Sequence, residues 1–248
     1  MADLNYRVEG DGEALLLVHG FGVSFNIWKK LVPLLRPYFT LIMIEAPGIG
    51  GSPFEKSGQS YLAASVEAIE CLRSMLGFDS WNVLGYSTGS RVVEAYVRTY
   101  ASRVRGLIFL CPLVLPRFTS LNLRFSLWID KFIPAYGDLI LTGWRLKFLI
   151  FLLGFSLKQN SLAGEWFEEI SQNPRNVLKE TLRMISPTGT CPLEIPMPAS
   201  YIWGKDDFVT QRPRRPGPHD FLIHANHAAP VLAADEVSEL IIELLGSS

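Results

Sequence analysis

Six short apolar runs punctuate the chain: "ALLLVHG" (14–20), "FTLIMIEA" (39–46), "WNVLG" (81–85), "VRGLIFLC" (104–111), "SYIWG" (200–204) and "FLIHA" (221–225). Each is nearly continuous in hydrophobicity rather than alternating. That is the pattern of strands covered on both faces, and it calls for a parallel sheet between layers of helices. The intervening segments can supply those layers. Leu62, Val66, Ile69 and Leu76, then Val92, Val93, Tyr96 and Val97, then Val237, Leu240, Ile241 and Leu244 each recur at helical spacing. Strand and helix alternate, so the expected class is α/β, with a mostly parallel central sheet flanked by helices. Near the start, "NYRVEGDGEALLLV" (5–18) reads as two strands around a Gly-Asp-Gly turn, an antiparallel hairpin at the sheet edge.

The rhythm stops between Pro112 and Met197. No strand candidate stands out there, whereas "SLNLRFSLWIDKF" (120–132), "WRLKFLIFLLGF" (144–155) and "LAGEWFEEI" (162–170) look helical between prolines. The expected organisation is a core of residues 1–111 and 198–248, with residues 112–197 as a helical insertion over one end of the sheet.

Composition removes several function classes. A hydrophobic fraction of 48% against 19% charged residues is that of a folded chain. Net charge is −1 and the sequence pI about 6.4, so no summed positive field exists for a nucleic-acid backbone. The basic stretch "RPRRPG" (212–217) reads as a solvated loop. Cys71, Cys111 and Cys191 form neither a paired framework nor a Cys-x-x-Cys motif, so reduced thiols in a cytoplasmic setting are expected. The start carries no basic segment followed by an apolar core and cleavage site, so no secretory signal is expected. The most apolar run, "FLIFLLGFSL" (148–157), is about half the roughly 20 residues a membrane span needs.

The chemistry concentrates where "WNVLG" breaks into Gly85-Tyr86-Ser87-Thr88-Gly89 and then resumes at helical spacing. A serine between two glycines at a strand-to-helix turn fits a nucleophile elbow. The glycines are expected to spare that serine collisions two residues away, so that its hydroxyl projects freely. A serine hydroxyl needs a base, and the chain has four histidines: His19, His219, His224 and His227. His227, in the loop between the last strand and the last helix, is the expected base. His224 reads as a packed or hydrogen-bonded strand-end residue, His219 as a surface residue, and His19 as the fixer of its own loop. The base in turn needs a carboxylate to hold its tautomer. "YIWGKDDFVT" (201–210) places Asp206 and Asp207 just past a strand end; Asp207 is preferred and Asp206 held in reserve. The loop "HGFG" (19–22) offers the Phe21 N–H, and the turn offers the Thr88 N–H, as an oxyanion hole.

With those stations in place, "HGFG" (19–22), "EAPGIGGS" (45–52), "GYSTGS" (85–90), "WGKDD" (203–207) and "NHAAP" (226–230), the chain resembles the α/β-hydrolase superfamily over almost its full length. In that family the acid commonly lies three residues after the glycine of the "WG" strand, which favours Asp207. The resemblance also implies that the insertion follows the sixth strand and caps the substrate. Glu45 stands where the family often has aspartate, and Asn226 where it often has glycine. The connection "TQRPRRPGPHDF" (210–221) departs from the usual helical one. A serine nucleophile sets the chain apart from members resembling haloalkane dehalogenases or epoxide hydrolases, and "HGFGVS" differs from the proline iminopeptidase loop.

The expected activity is hydrolysis of a carboxylic ester with an apolar acyl or aromatic group, through an acyl-enzyme and with neither metal nor organic cofactor. The alternatives are a lyase, a carbon–carbon bond hydrolase or an acyltransferase built on the same triad, or a ligand-binding module. Phe125, Trp128, Phe132, Trp144, Phe148, Phe151, Phe155, Trp166 and Phe167 are expected to pack against the sheet or one another, some of them roofing the cleft. "WRLKFLIFLL" (144–153) is a candidate for peripheral lipid contact.

Overall fold

The computed structural model describes residues 4–54, 58–115, 160–185 and 193–246, with 121, 124–126, 128, 129, 132 and 133 between. Its seven strands are β1 (Tyr6–Glu9), β2 (Glu13–Val18), β3 (Phe39–Ile44), β4 (Trp81–Tyr86), β5 (Val104–Leu110), β6 (Ser200–Gly204) and β7 (Asp220–Ile223). They form one sheet in the order β1-β3-β2-β4-β5-β6-β7, parallel except for β1. The helices are α1 (Val32–Leu35), α2 (Tyr61–Met75), α3 (Gly89–Tyr100), α4 (Asn160–Gln172), α5 (Arg175–Ile185), α6 (Ala229–Leu232) and α7 (Ala234–Leu245).

The continuous hydrophobicity of the strands has the expected cause. On β2, Leu15 and Leu17 enter one apolar cluster, with Leu31, Leu35, Val237 and Ile241 from α1, its approach and α7. Leu16 and Val18 enter another on the opposite face, with Val66, Ile69, Val93 and Val97 from α2 and α3. Successive side chains point to opposite faces, and both faces are covered.

The hairpin expectation needs correction. β1 is antiparallel and at the edge, but it pairs with β3, not β2, in the register Tyr6↔Ile44 to Glu9↔Leu41. The Gly-Asp-Gly turn straddles the start of β3: the Asp11 N–H donates to the Arg36 carbonyl at 3.3 Å. A Cβ on Gly10, at φ +89°, would lie 2.4 Å from the Phe39 carbonyl oxygen. The connection therefore carries the chain over β3 and sets β1 down on its far side.

The strand before residues 112–197 is accordingly the fifth of this sheet, not the sixth, because a single antiparallel strand precedes the parallel set. Of the helices expected in that span, "LAGEWFEEI" lies within α4, and residues 121, 124–126, 128 and 129 of "SLNLRFSLWIDKF" are helical. α5 was not singled out by the apolar pattern, although Val177, Leu178, Thr181 and Ile185 are buried along it. "WRLKFLIFLLGF", with Trp144, Phe148, Phe151 and Phe155, and Cys191 lie outside the described residues. Trp128 contacts Phe125 and Phe132, with centroids 6.0 and 5.1 Å away, yet all three are exposed. Trp166 is buried. Among the described residues no helix is long and apolar enough to cross a membrane.

Candidate active site

Sheet order decides where a site can form. From β2 the chain steps outward to β3, then returns across the sheet to β4, so connections after β2 and β4 diverge and leave a crevice at their carboxyl ends. Both loops singled out by the sequence, His19–Gly22 after β2 and Ser87 after β4, open into that crevice.

Ser87 sits at φ +52°, a left-handed conformation that costs a non-glycine residue free energy. The surroundings enforce it. The Ser87 N–H donates to the Leu110 carbonyl of β5 at 3.1 Å, and its carbonyl accepts from the Ser90 N–H at 3.0 Å as α3 begins. The flanking glycines are required for a different reason from the one expected. A Cβ on Gly85 would meet Ser90 Cα at 3.0 Å and the Val93 side chain, and one on Gly89 would lie 2.4 Å from the His19 carbonyl oxygen. They make room for α3 against β4 and β2 rather than for the serine side chain itself.

Ser87 Oγ lies 2.8 Å from His227 Nε2, and His227 Nδ1 lies 2.8 Å from Asp207 Oδ2. The three residues come from the ends of β4, β7 and β6, and the Ser87 and His227 side chains are buried. Asp207 is anchored further: Oδ1 accepts from the Val209 N–H at 2.8 Å, and Oδ2 from Thr210 Oγ1 at 2.9 Å. Burial by itself would raise the Asp207 pKa. The His227 charge and these hydrogen bonds outweigh it and hold the carboxyl below its ordinary value. Asp206 is exposed and stands apart from this arrangement.

The other histidines sort as follows. His219 is exposed. His224, just past β7, is also exposed, with Nε2 2.9 Å from Lys205 Nζ, so it is hydrogen-bonded but not packed. His19 is buried and holds its loop, as expected. Its Nε2 accepts from the Ala46 N–H at 2.9 Å, which leaves the proton on Nδ1, and Nδ1 donates to the Gly20 carbonyl at 2.7 Å. Burial lowers its pKa and keeps the ring neutral.

In a trans peptide the Gly20 C=O and the Phe21 N–H point in opposite directions, so His19 fixes the line of the Phe21 N–H. Thr88 is buried at the start of α3. Among the described residues, neither N–H donates to another backbone carbonyl.

Two neighbours escaped the sequence reading. The Tyr86 hydroxyl, in the residue before the serine, donates to the His227 carbonyl. Cys111, at φ +43° after β5, places its sulfur within 4.8 Å of ligand atoms on Asp207 and His227. That trio could form three corners of a metal site. The chemistry disfavours it: burial and the Asp207 charge push the thiol pKa well above normal, and the carboxylate and imidazole atoms are spent on each other.

The chain belongs to the α/β-hydrolase family: the family described as alpha/beta hydrolase fold matches residues 13–136. The chain is similar to a 2-hydroxy-6-oxo-6-phenylhexa-2,4-dienoate hydrolase of Comamonas testosteroni, 24% identical over 222 residues, covering 82% of this chain and 74% of that one. It is 31% identical to a pimeloyl-[acyl-carrier protein] methyl ester esterase of Yersinia enterocolitica over 109 residues, 44% of this chain and 40% of that one. It is 32% identical to a fluoroacetate dehalogenase of a Burkholderia species over 112 residues, 43% of this chain and 36% of that one. The chain thus spans less than half the length of most of the curated relatives it matches. Among solved structures, a thermophilic esterase from Thermogutta terrifontis superposes with a TM-score of 0.79 at 20% identity, covering 99% of this chain and 93% of that one. That likeness speaks to the fold.

Proposed function

We propose that this hydrolase cleaves a carboxylic ester bearing an apolar acyl or aromatic group, with Ser87 as nucleophile, His227 as general base and acid, and Asp207 as the partner of the base. The observation that carries the reading is the relay in which both contacts, Oγ to Nε2 and Nδ1 to Oδ2, measure 2.8 Å. As Ser87 Oγ attacks the carbonyl carbon, Nε2 takes its proton and the imidazolium keeps its Nδ1–H on the Asp207 carboxylate. Charge developing on the carbonyl oxygen meets the Phe21 and Thr88 N–H groups. The protonated imidazole then gives its proton to the departing alkoxide oxygen, and water repeats the sequence on the acyl-enzyme.

The same reading makes residues 112–197 a cap over the core of 1–111 and 198–248. Support for an apolar substrate comes from Val18, Ile49, Val92 and Met184, which line a small cavity together with Gly20 and Thr88. A hydroxyl at the elbow speaks against the dehalogenase-like chemistry that the resemblance associates with aspartate. Fluorophosphonate labelling and hydrolysis of short p-nitrophenyl esters test the proposal: both should be lost in Ser87→Ala with the circular-dichroism spectrum retained. Labelling or full hydrolysis in that variant refutes it.

A second reading has its own support. The dienoate hydrolase alignment spans most of both chains, which favours carbon–carbon bond hydrolysis by the same groups. Product analysis with a vinylogous 1,5-diketone and with an ester of similar size separates the two.

A further inference from the structure

Phe21 is bracketed by two carbonyls, and each is held by a side chain. Gly20 O accepts from His19, as described; Gly22 O accepts from Asn173 Nδ2 at 2.7 Å. Asn173 follows α4, is 7% exposed, and belongs to the span between β5 and β6 rather than to the sheet. Its amide has one possible orientation. Oδ1 must face the Gly50 N–H, which donates to it at 3.0 Å, so Nδ2 must face the Gly22 carbonyl. Nδ2 also reaches the Glu169 carbonyl in the last turn of α4 at 3.1 Å, which ties the amide to that helix. Two residues on, Glu169 Oε1 accepts from the Ser24 N–H at 2.9 Å and from the Ser24 hydroxyl. The segment leaving Phe21 is therefore held at Gly22 and at Ser24 by α4 and the residue that follows it.

We propose that Asn173 is a positioning residue for the oxyanion hole: it locks the peptide between Gly22 and Val23, one link beyond the peptide that follows Phe21, so that the N–H donor is aimed only while α4 is docked. This rests on reading Ser87 as the nucleophile and the Phe21 N–H as an oxyanion donor. Stabilisation of a transition state depends on donors placed to within a fraction of an ångström, so a loop held on one side alone loses rate before it loses substrate affinity. The role demands an amide, since a donor and an acceptor are used at once in opposite directions. A polar cleft of about 520 Å³ bordered by Gly22, Ser24, Glu169 and Asn173 lets water replace the amide if it is merely cut away. Reversing its polarity is the sharper change.

Asn173→Asp keeps the shape and the Gly50 bond but turns an oxygen toward the Gly22 carbonyl. With p-nitrophenyl butyrate, kcat should fall about 10- to 100-fold while KM stays within about threefold. Inhibition by phenylboronic acid, which becomes tetrahedral on the serine, should weaken by the same factor as kcat/KM. Should the aspartate variant not fold, Asn173→Ser carries the same comparison with a smaller loss. Variants that lower the melting temperature yet leave kcat and boronate affinity within about twofold of wild type would make Asn173 a purely structural residue and overturn the proposal. Fluorophosphonate labelling of the wild type keeps the two readings apart. A labelled wild type with unaffected variants sinks this inference alone, whereas an unlabelled wild type sinks the nucleophile assignment and this inference with it.

Discussion

The Tyr86 hydroxyl donates a hydrogen bond to the His227 carbonyl at 2.7 Å, so the residue before the serine in sequence also holds the loop that presents the imidazole. The two rings lie 5.5 Å apart. Burial and the nearby Cys111 and Asp207 push the phenol pKa well above its ordinary value, so it stays a donor. Tyr86→Phe keeps the ring and leaves a buried carbonyl without its partner. The expected cost is about 1–3 kcal/mol, read as a lower urea midpoint at unchanged slope. Activity should fall with it, since the loop is freed near the base.

Asp207→Asn should keep the fold and lose about 10³- to 10⁴-fold in kcat, because a neutral amide neither stabilises the imidazolium nor enforces the Nδ1–H tautomer. Stability should change in a pH-dependent way. The Asp207 pKa is lowered in the folded chain, so its contribution is present above the ordinary carboxylate value and disappears as pH falls through the folded one. Urea midpoints of wild type and variant should therefore converge in acid. A constant gap down to pH 2 would contradict this.

His19 predicts a different window. Its folded pKa is depressed by burial from the ordinary 6.5, so below that value the unfolded chain takes up a proton that the folded chain refuses. Wild-type stability should decline as pH drops from about 7 toward 5. His19→Gln, which cannot take up that proton, should show a shallower decline in urea midpoints over the same range. Parallel profiles would refute the assignment of a neutral buried ring.

Gly89→Ala tests the packing account of the elbow. The added methyl would lie 2.4 Å from one backbone oxygen and 2.5 Å from another, on His19 and Val18, neither of which can swing aside. A loss of about 2–4 kcal/mol is expected in urea unfolding. A variant within about 0.5 kcal/mol of wild type would show that α3 can shift without cost.

Much of the candidate site was legible before any coordinates. Ser87, Asp207 and His227 each stand just past an apolar run, where parallel strands deliver loops to one end of the sheet. The preference for Asp207 over Asp206 drew its support from family spacing; the structure separates them by burial, with Asp206 exposed and Asp207 bonded to His227. Asn173 gave no such signal. Its neighbours Pro174 and α4 mark a helix end, but nothing local says that its amide meets Gly22, 151 residues away. Tyr86 and Cys111 were hidden in the same way.

The order of residues determined what is local: which runs form strands, where most helices lie, and where a serine must turn sharply between glycines, because these follow from side-chain periodicity and backbone sterics over a few residues. The folded chain alone decided that β1 crosses to the far side of β3, that the two glycines of the elbow clear backbone rather than the serine, and that an amide beyond α4 braces the loop after β2. Those outcomes depend on contacts between segments far apart in sequence, where the deciding quantity is the space and the hydrogen-bonding partner left once both faces of the sheet are packed.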